Sequence, residues 1–250
     1  MKLLILGGTV EARQVATQIY QTHPNILLIT SLAGATKTTP KVPGEIHIGG
    51  FGGVDGLTDY LQNNRIDAVI DATHPFALTI TNHGVQSCHK VKVPYLRLDR
   101  PRWIVPTDTD VIFTLDADEA ARLIARTSKS AFLTIGRKDL VAFESLKKVK
   151  LLVRAIEQPD PNLNLEQTTF VTARPPFALV DEMNLMRNHQ IDTLVSKDSG
   201  GDSTRAKLDA AAQLGIRIIL LRRPPPPDGD CVSTINDALA WLTKQGTFNE

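Results

Sequence analysis

The chain has 250 residues, 42% of them hydrophobic and 22% charged, and a formal net charge of +1 leaves no global field to favour nucleic acid or an anionic membrane. That length suits one large α/β domain or two modest ones, and an anionic ligand would have to be met by local clusters. Cys88 and Cys231 lie far apart without metal-ligand spacing or a disulfide framework, and the apolar block Leu3-Leu4-Ile5-Leu6 is too short for a leader. The expectation is a cytoplasmic protein with ordinary thiols and no metal.

Residues 2–6 predict a strand, Gly7-Gly8-Thr9 a turn, and 11–20 an amphipathic helix with Val15, Ala16 and Ile19 inward. This is a shortened dinucleotide-binding turn: glycine lets a pyrophosphate approach the backbone and the helix N-terminus supplies partial positive charge, although the full G-x-G-x-x-G spacing is missing. A second strand, 26–30, leads into Ser31-Leu32-Ala33-Gly34-Ala35-Thr36-Lys37. A dinucleotide site meets the adenosine ribose at that position. No acid stands there to favour NADH, and the small hydroxyl residues with Lys37 favour NADPH.

After a turn-rich link at 40–44 and Ile46-His47-Ile48 comes Gly49-Gly50-Phe51-Gly52-Gly53. Four glycines in five residues cost backbone entropy, so the run points to close approach by another backbone or a flat ligand, with Phe51 available to pack on it. A helix over 54–63 and a strand over 66–70 lead into Asp71-Ala72-Thr73-His74-Pro75-Phe76-Ala77. An apolar strand ending abruptly in an acid, a hydroxyl and an imidazole delivers polar groups to the rim of a parallel sheet, where open α/β folds place their chemistry. Pro75 suits the first turn of the next helix, over 78–90, and the purely structural alternative is that Thr73 or His74 caps it. A strand over 93–98 ends in Asp99-Arg100-Pro101, 109–114 is extended, and Asp116 caps a helix reaching about Thr127.

The second half repeats the first. Arg65-Ile66-Asp67-Ala68-Val69-Ile70 is echoed by Gln190-Ile191-Asp192-Thr193-Leu194-Val195, the stretch 93–101 by 216–224, and Thr114-Leu115-Asp116 by Thr234-Ile235-Asn236. Three echoes in one order predict an α/β protein of two similar Rossmann-like halves, 1–128 and 129–250, with mainly parallel sheets and a cleft between them. The first half is expected to bind a dinucleotide and the second to hold substrate. Segments 109–114 and 230–234 follow proline-containing links, so each is free to join either sheet.

In the second half the strand end equivalent to the Asp71 motif is Val195-Ser196-Lys197-Asp198-Ser199-Gly200-Gly201, with Thr204 and Lys207 beyond it. Lys197 on such a turn suits holding a carboxylate or phosphate, or donating a proton. Together with Arg137, Lys138, Arg174, Arg205 and Lys207 it suggests a polyanionic small molecule, and the planar fork of Arg174 suits a carboxylate.

The motifs at 5–9, 31–34, 48–53, 71–77 and 197–201, taken together, resemble the precorrin-6A reductase family of cobalamin biosynthesis, which includes cobalt-precorrin-6A reductases. The resemblance implies hydride transfer from NADPH, or NADH, to one double bond of the precorrin-6A macrocycle, giving precorrin-6B. It departs in two places: family members often carry arginine where Ala35 stands, and Gly-Pro-Phe where this chain has Pro175-Pro176-Phe177. Joined to the residue reading, it assigns cofactor contacts to Gly7, Gly8, Thr9, Ser31, Gly34, Lys37, Gly50, Gly52, Asp71 and Thr73. Substrate contacts fall to Phe51, Phe76, Arg137, Arg174, Ser199, Gly200, Gly201, Thr204 and Lys207. His74 and Lys197 are the candidates for orienting the ring or supplying a proton, a task water performs equally well. The partner expected is a small tetrapyrrole, bound by a monomer with no nucleic-acid or membrane partner. A non-catalytic dinucleotide- or tetrapyrrole-binding protein and a two-lobed glycosyltransferase are the alternatives, separable by titration with NADPH, NADH and UDP-sugars.

Overall fold

Leu3 and Ile5 point to one face and Leu4 and Leu6 to the other, and all four are buried, so β1 (Lys2–Leu6) is covered on both sides as a central parallel strand must be. In the computed structural model, which describes residues 1–34, 41–156 and 162–246, β1 lies inside a six-stranded sheet. Its companions are β2 (Leu27–Leu32), β3 (Glu45–Ile48), β4 (Ala68–Asp71), β5 (Tyr95–Leu98) and the late strand β12 (Asp230–Val232), in the order β12-β5-β4-β1-β2-β3. Every pairing is parallel. The helices of this unit are α1 (Val10–Thr22), α2 (Gly53–Asn63), α3 (Leu78–Val91) and α7 (Ile235–Gly246). Val15 and Ile19 of α1 pack with Ala238, Trp241 and Leu242 of α7 over Leu3 and Ile5, while Leu57 and Leu61 of α2 cover Leu4 and Leu6.

A second six-stranded parallel sheet repeats the plan in the order β6-β11-β10-β7-β8-β9. It comprises β6 (Val111–Thr114), β7 (Ser130–Thr134), β8 (Lys150–Ala155), β9 (Thr168–Thr172), β10 (Thr193–Lys197) and β11 (Arg217–Leu221), with α4 (Ala117–Thr127), α5 (Leu179–Asn188) and α6 (Ala206–Gln213). Phe132, Leu152, Leu194, Ile218 and Leu220 form its core with Met186 and Leu208. Asp116 caps α4 as its position predicts, accepting from Glu119 N at 2.8 Å, while Glu119 Oε2 reaches back past the cap to accept from Leu115 N at 2.7 Å.

The predicted halves are therefore present, but the division of the chain differs from a single break at 128. One unit comprises 1–101 with 224–250, and the other 102–223. Both segments left open by the sequence cross over: 111–114 pairs with β11, and 230–232 returns to pair with β5. Each crossing completes the sheet it joins, because β5 and β11 would otherwise end as bare parallel edges.

The turn after β4 also departs from expectation. α3 begins at Leu78 with Ala77 at its N-cap position and no side-chain cap, so Pro75 lies in the preceding turn and neither Thr73 nor His74 caps the helix.

Candidate active site

Parallel pairing puts all strand C-termini of a sheet on one edge, and in the first unit that edge gathers Gly7-Gly8-Thr9, Ser31 to Gly34, the 49–53 run, the 71–77 turn and Asp99-Arg100. Gly7 leaves little room for a side chain, since a Cβ there would sit 3.1 Å from the Ser31 carbonyl oxygen that accepts from Gly7 N. Thr9 is the α1 N-cap: its hydroxyl accepts from Ala12 N at 3.0 Å and donates to Ala72 O at 2.7 Å. That bond joins the first and fourth strand ends. Gly8 stands exposed at φ 113° with open space around it. Ser31 is buried within β2, and Gly34, at φ 69°, lies against Ile48. Lys37 and Ala35 fall outside the described residues.

The glycine run divides into two kinds of position. Gly49, Gly52 and Gly53 have φ of 113°, 83° and 87°, which side chains rarely adopt. Gly50 has no positive φ and nothing within 4 Å of where a Cβ would stand. Its own chain gives it no reason to be glycine. Phe51, expected to face a flat ligand, instead stacks on His47 at 4.4 Å and 6° and meets Tyr60 edge-on at 4.9 Å. Its carbonyl lies where a Cβ on Gly56 would overlap it, so the run is anchored from beneath and offers backbone to its outer side.

Asp71 and Thr73 are turned inward. Asp71 is fully buried; its carboxylate pairs with Arg97 at 2.8 Å and accepts from Thr81 Oγ1 at 2.6 Å, Tyr95 OH at 2.8 Å and Thr73 N at 2.9 Å. Arg97 also donates to Thr73 Oγ1 and Thr73 O at 3.0 and 3.1 Å. Burial, followed by the Asp71 charge, holds the Tyr95 phenol well above its ordinary range, so it stays protonated and donates to Asp71. With these partners the Asp71 and Thr73 side chains are engaged within the scaffold. The polar strand end was legible, but not the direction of its side chains; Arg97 as a charge inside Tyr95-Leu96-Arg97-Leu98 was the signal for the partner. His74 and Phe76 stay half-buried on the turn, with Phe76 N donating to His74 Nδ1 at 3.2 Å, which places the proton of the neutral ring on Nε2.

In the second unit the corresponding edge carries Arg137 after β7, Arg174 after β9 and Lys197 at the end of β10. Arg137 and Arg174 are exposed. Lys197 Nζ lies 2.6 Å from Asp139, beside Gly136, where a Cβ would stand 3.5 Å from both groups. Asp139 was not anticipated, since nothing in its spacing from Lys197 marks it. The following residues are less open than expected: Ser199 and Gly200 are buried, Trp103 Nε1 donates to Gly201 O at 2.7 Å, and Arg102 pairs with Asp198 at 2.9 Å. Lys207 is also buried, its ammonium 5.1 Å from the Trp103 ring centre, and Thr204 lies half-buried in a 3-10 turn. Trp103 and Arg102 pin the loop, and Lys207 packs over the Trp103 ring. Among the described residues no group of three or more His, Cys, Asp or Glu side chains could hold a metal, and no helix is long and apolar enough to cross a membrane.

Two doubly wound parallel units of like topology, each with glycine-bearing turns at its strand ends, define a Rossmann-like α/β protein built twice over. The sequence matches the family model described as precorrin-6x reductase CbiJ/CobK over residues 2–243, and the chain belongs to that family. It is 42% identical over 243 residues to the precorrin-6A reductase of Rhodococcus erythropolis, covering 96% of this chain and 97% of that one. It is 26% identical to the cobalt-precorrin-6A reductase of Priestia megaterium, covering 97% and 98%. A solved structure titled CobK precorrin-6A reductase superposes with a TM-score of 0.93 at 33% identity, over 98% of this chain and 97% of that one.

Proposed function

We propose that this protein is an oxidoreductase that reduces precorrin-6A to precorrin-6B with hydride from a nicotinamide cofactor. The observation that carries the reading is the edge of the first sheet, where Gly8, Gly50 and the His74 turn share one rim and Gly50 is a glycine its own chain does not need. A relative 42% identical bears the name without cobalt and one 26% identical bears the cobalt name, which makes the cobalt-free macrocycle the first substrate to test.

In this reading the first unit receives the dinucleotide on Gly7, Gly8 and the N-terminus of α1, with the outer face of the 49–53 run against the flat rings. Hydride transfer is the cofactor's own chemistry, so the chain's task is positioning. Arg137, Arg174 and Lys197 of the second unit hold peripheral carboxylates of the macrocycle, Arg174 through its fork. His74 or Lys197 orients the ring or passes the proton that completes the reduction, with Asp139 directing the Lys197 side chain. The cofactor assigned is NADPH.

The test is NADPH oxidation followed at 340 nm in the presence of precorrin-6A, with NADH and cobalt-precorrin-6A in parallel. Consumption of reduced cofactor matched by product supports the proposal. A spectral change on mixing without consumption would identify a binding protein instead.

A further inference from the structure

Arg97 is a guanidinium 3% exposed within a strand of the first sheet. Sealing such a group from water costs several kcal/mol unless its donors are met, and a buried ion pair can often be replaced by apolar side chains without loss of stability. Stability alone therefore explains the arrangement poorly. What the network secures is specific: the backbone N–H, hydroxyl and carbonyl of Thr73 are all engaged by Asp71 or Arg97. Tyr95 and Arg97 from β5 and Thr81 from α3 all converge on Asp71 at the end of β4, and Asp71 and Arg97 in turn hold that one loop residue. Glycine at 84 is part of the same construction, because a Cβ there would stand 3.0 Å from the Tyr95 ring that reaches Asp71. The next residue along the chain is His74.

We infer that Arg97 is a positioning residue for the reduction, acting through Asp71 and Thr73 to fix the turn that carries His74. The inference rests on reading that turn as part of the reductase site. Arg97→Lys keeps the charge opposite Asp71 but loses the planar fork that reaches Thr73 Oγ1 and Thr73 O together, so it separates orientation from charge balance.

The experiment is a double-mutant cycle on the full-length protein with precorrin-6A and NADPH, comparing wild type, Arg97→Lys, His74→Ala and the pair. Arg97→Lys is expected to stay folded by circular dichroism and to lower kcat about tenfold or more with little change in KM, the signature of misplacement rather than lost binding. In the His74→Ala background the same change is expected to have almost no further effect on kcat. A merely structural role would lower stability equally in both backgrounds and leave kcat per folded molecule unchanged. If Arg97→Lys fails to fold, Thr73→Val, which removes the hydroxyl acceptor and keeps the shape, takes its place in the cycle. Wild-type kcat in either single variant, or equal loss in both backgrounds, overturns the inference while wild-type turnover keeps the functional reading. Absence of turnover in the wild type overturns both.

Discussion

Thr9 Oγ1 donates to Ala72 O at 2.7 Å, joining residues 63 apart in the chain, and through that bond the turn after the first strand and the turn after the fourth behave as one surface. The same oxygen caps α1. Thr9→Val removes both interactions at constant shape, and a lost N-cap alone costs about 1 kcal/mol. Urea denaturation is expected to show a loss of roughly 1–2 kcal/mol, and fluorescence titration an NADPH affinity several-fold weaker. Thr9→Ser keeps the hydroxyl and should restore both.

The 49–53 run separates folding from binding at neighbouring positions. Gly52→Ala forces a side chain into φ 83° and should destabilise by about 1–2 kcal/mol. Gly50→Ala meets nothing in the protein, so stability should change by less than about 0.5 kcal/mol. The methyl would nevertheless stand where the dinucleotide is proposed to approach. An NADPH dissociation constant raised about tenfold by Gly50→Ala is the expected result, and an unchanged one would remove the run from the cofactor site.

Arg154 and Glu182 form a buried ion pair in the second unit, with the guanidinium 3.7 Å from the Phe177 ring centre. Removing one member leaves a charge without its partner in the interior. Glu182→Ala is expected to lose about 3–5 kcal/mol in chemical denaturation, and Arg154→Met with Glu182→Leu much less. Phe177→Ala should loosen the Arg174 loop and weaken substrate binding more than it weakens NADPH binding.

Burial, with the Asp71 charge second, pushes the Cys88 thiol up to about 12. The sign follows from linkage: below pH 9 neither state ionises, whereas between 9 and 12 the unfolded chain releases a proton that the folded chain retains. Stability is therefore lost as pH rises through that window, by at most about 1.4 kcal/mol per pH unit from this group, and Cys88→Ala should flatten the slope. A thiol reagent at pH 8 is expected to label exposed Cys231, slowed because partial burial and Asp99 raise its pKa, and to reach Cys88 only on unfolding.

Much of this architecture is legible in the chain because parallel strands buried on both faces read as apolar runs with abrupt polar ends. Residues 2–6, 68–71 and 193–197 are such runs, and parallel pairing then carries their ends to a common edge. The direction of individual side chains at that edge is not written locally. Asp71 faces inward because Thr81, Tyr95 and Arg97 await it, and Phe51 faces inward because His47 and Tyr60 do.

The sequence by itself determined two repeats of strand and helix, the glycine and acid-histidine turns between them, and the family to which those turns point. Only the tertiary structure decided that 111–114 and 230–232 exchange sheets. Strands of three or four residues hold too little apolar surface to choose a partner alone, and take their places from the unpaired backbone edges of β11 and β5.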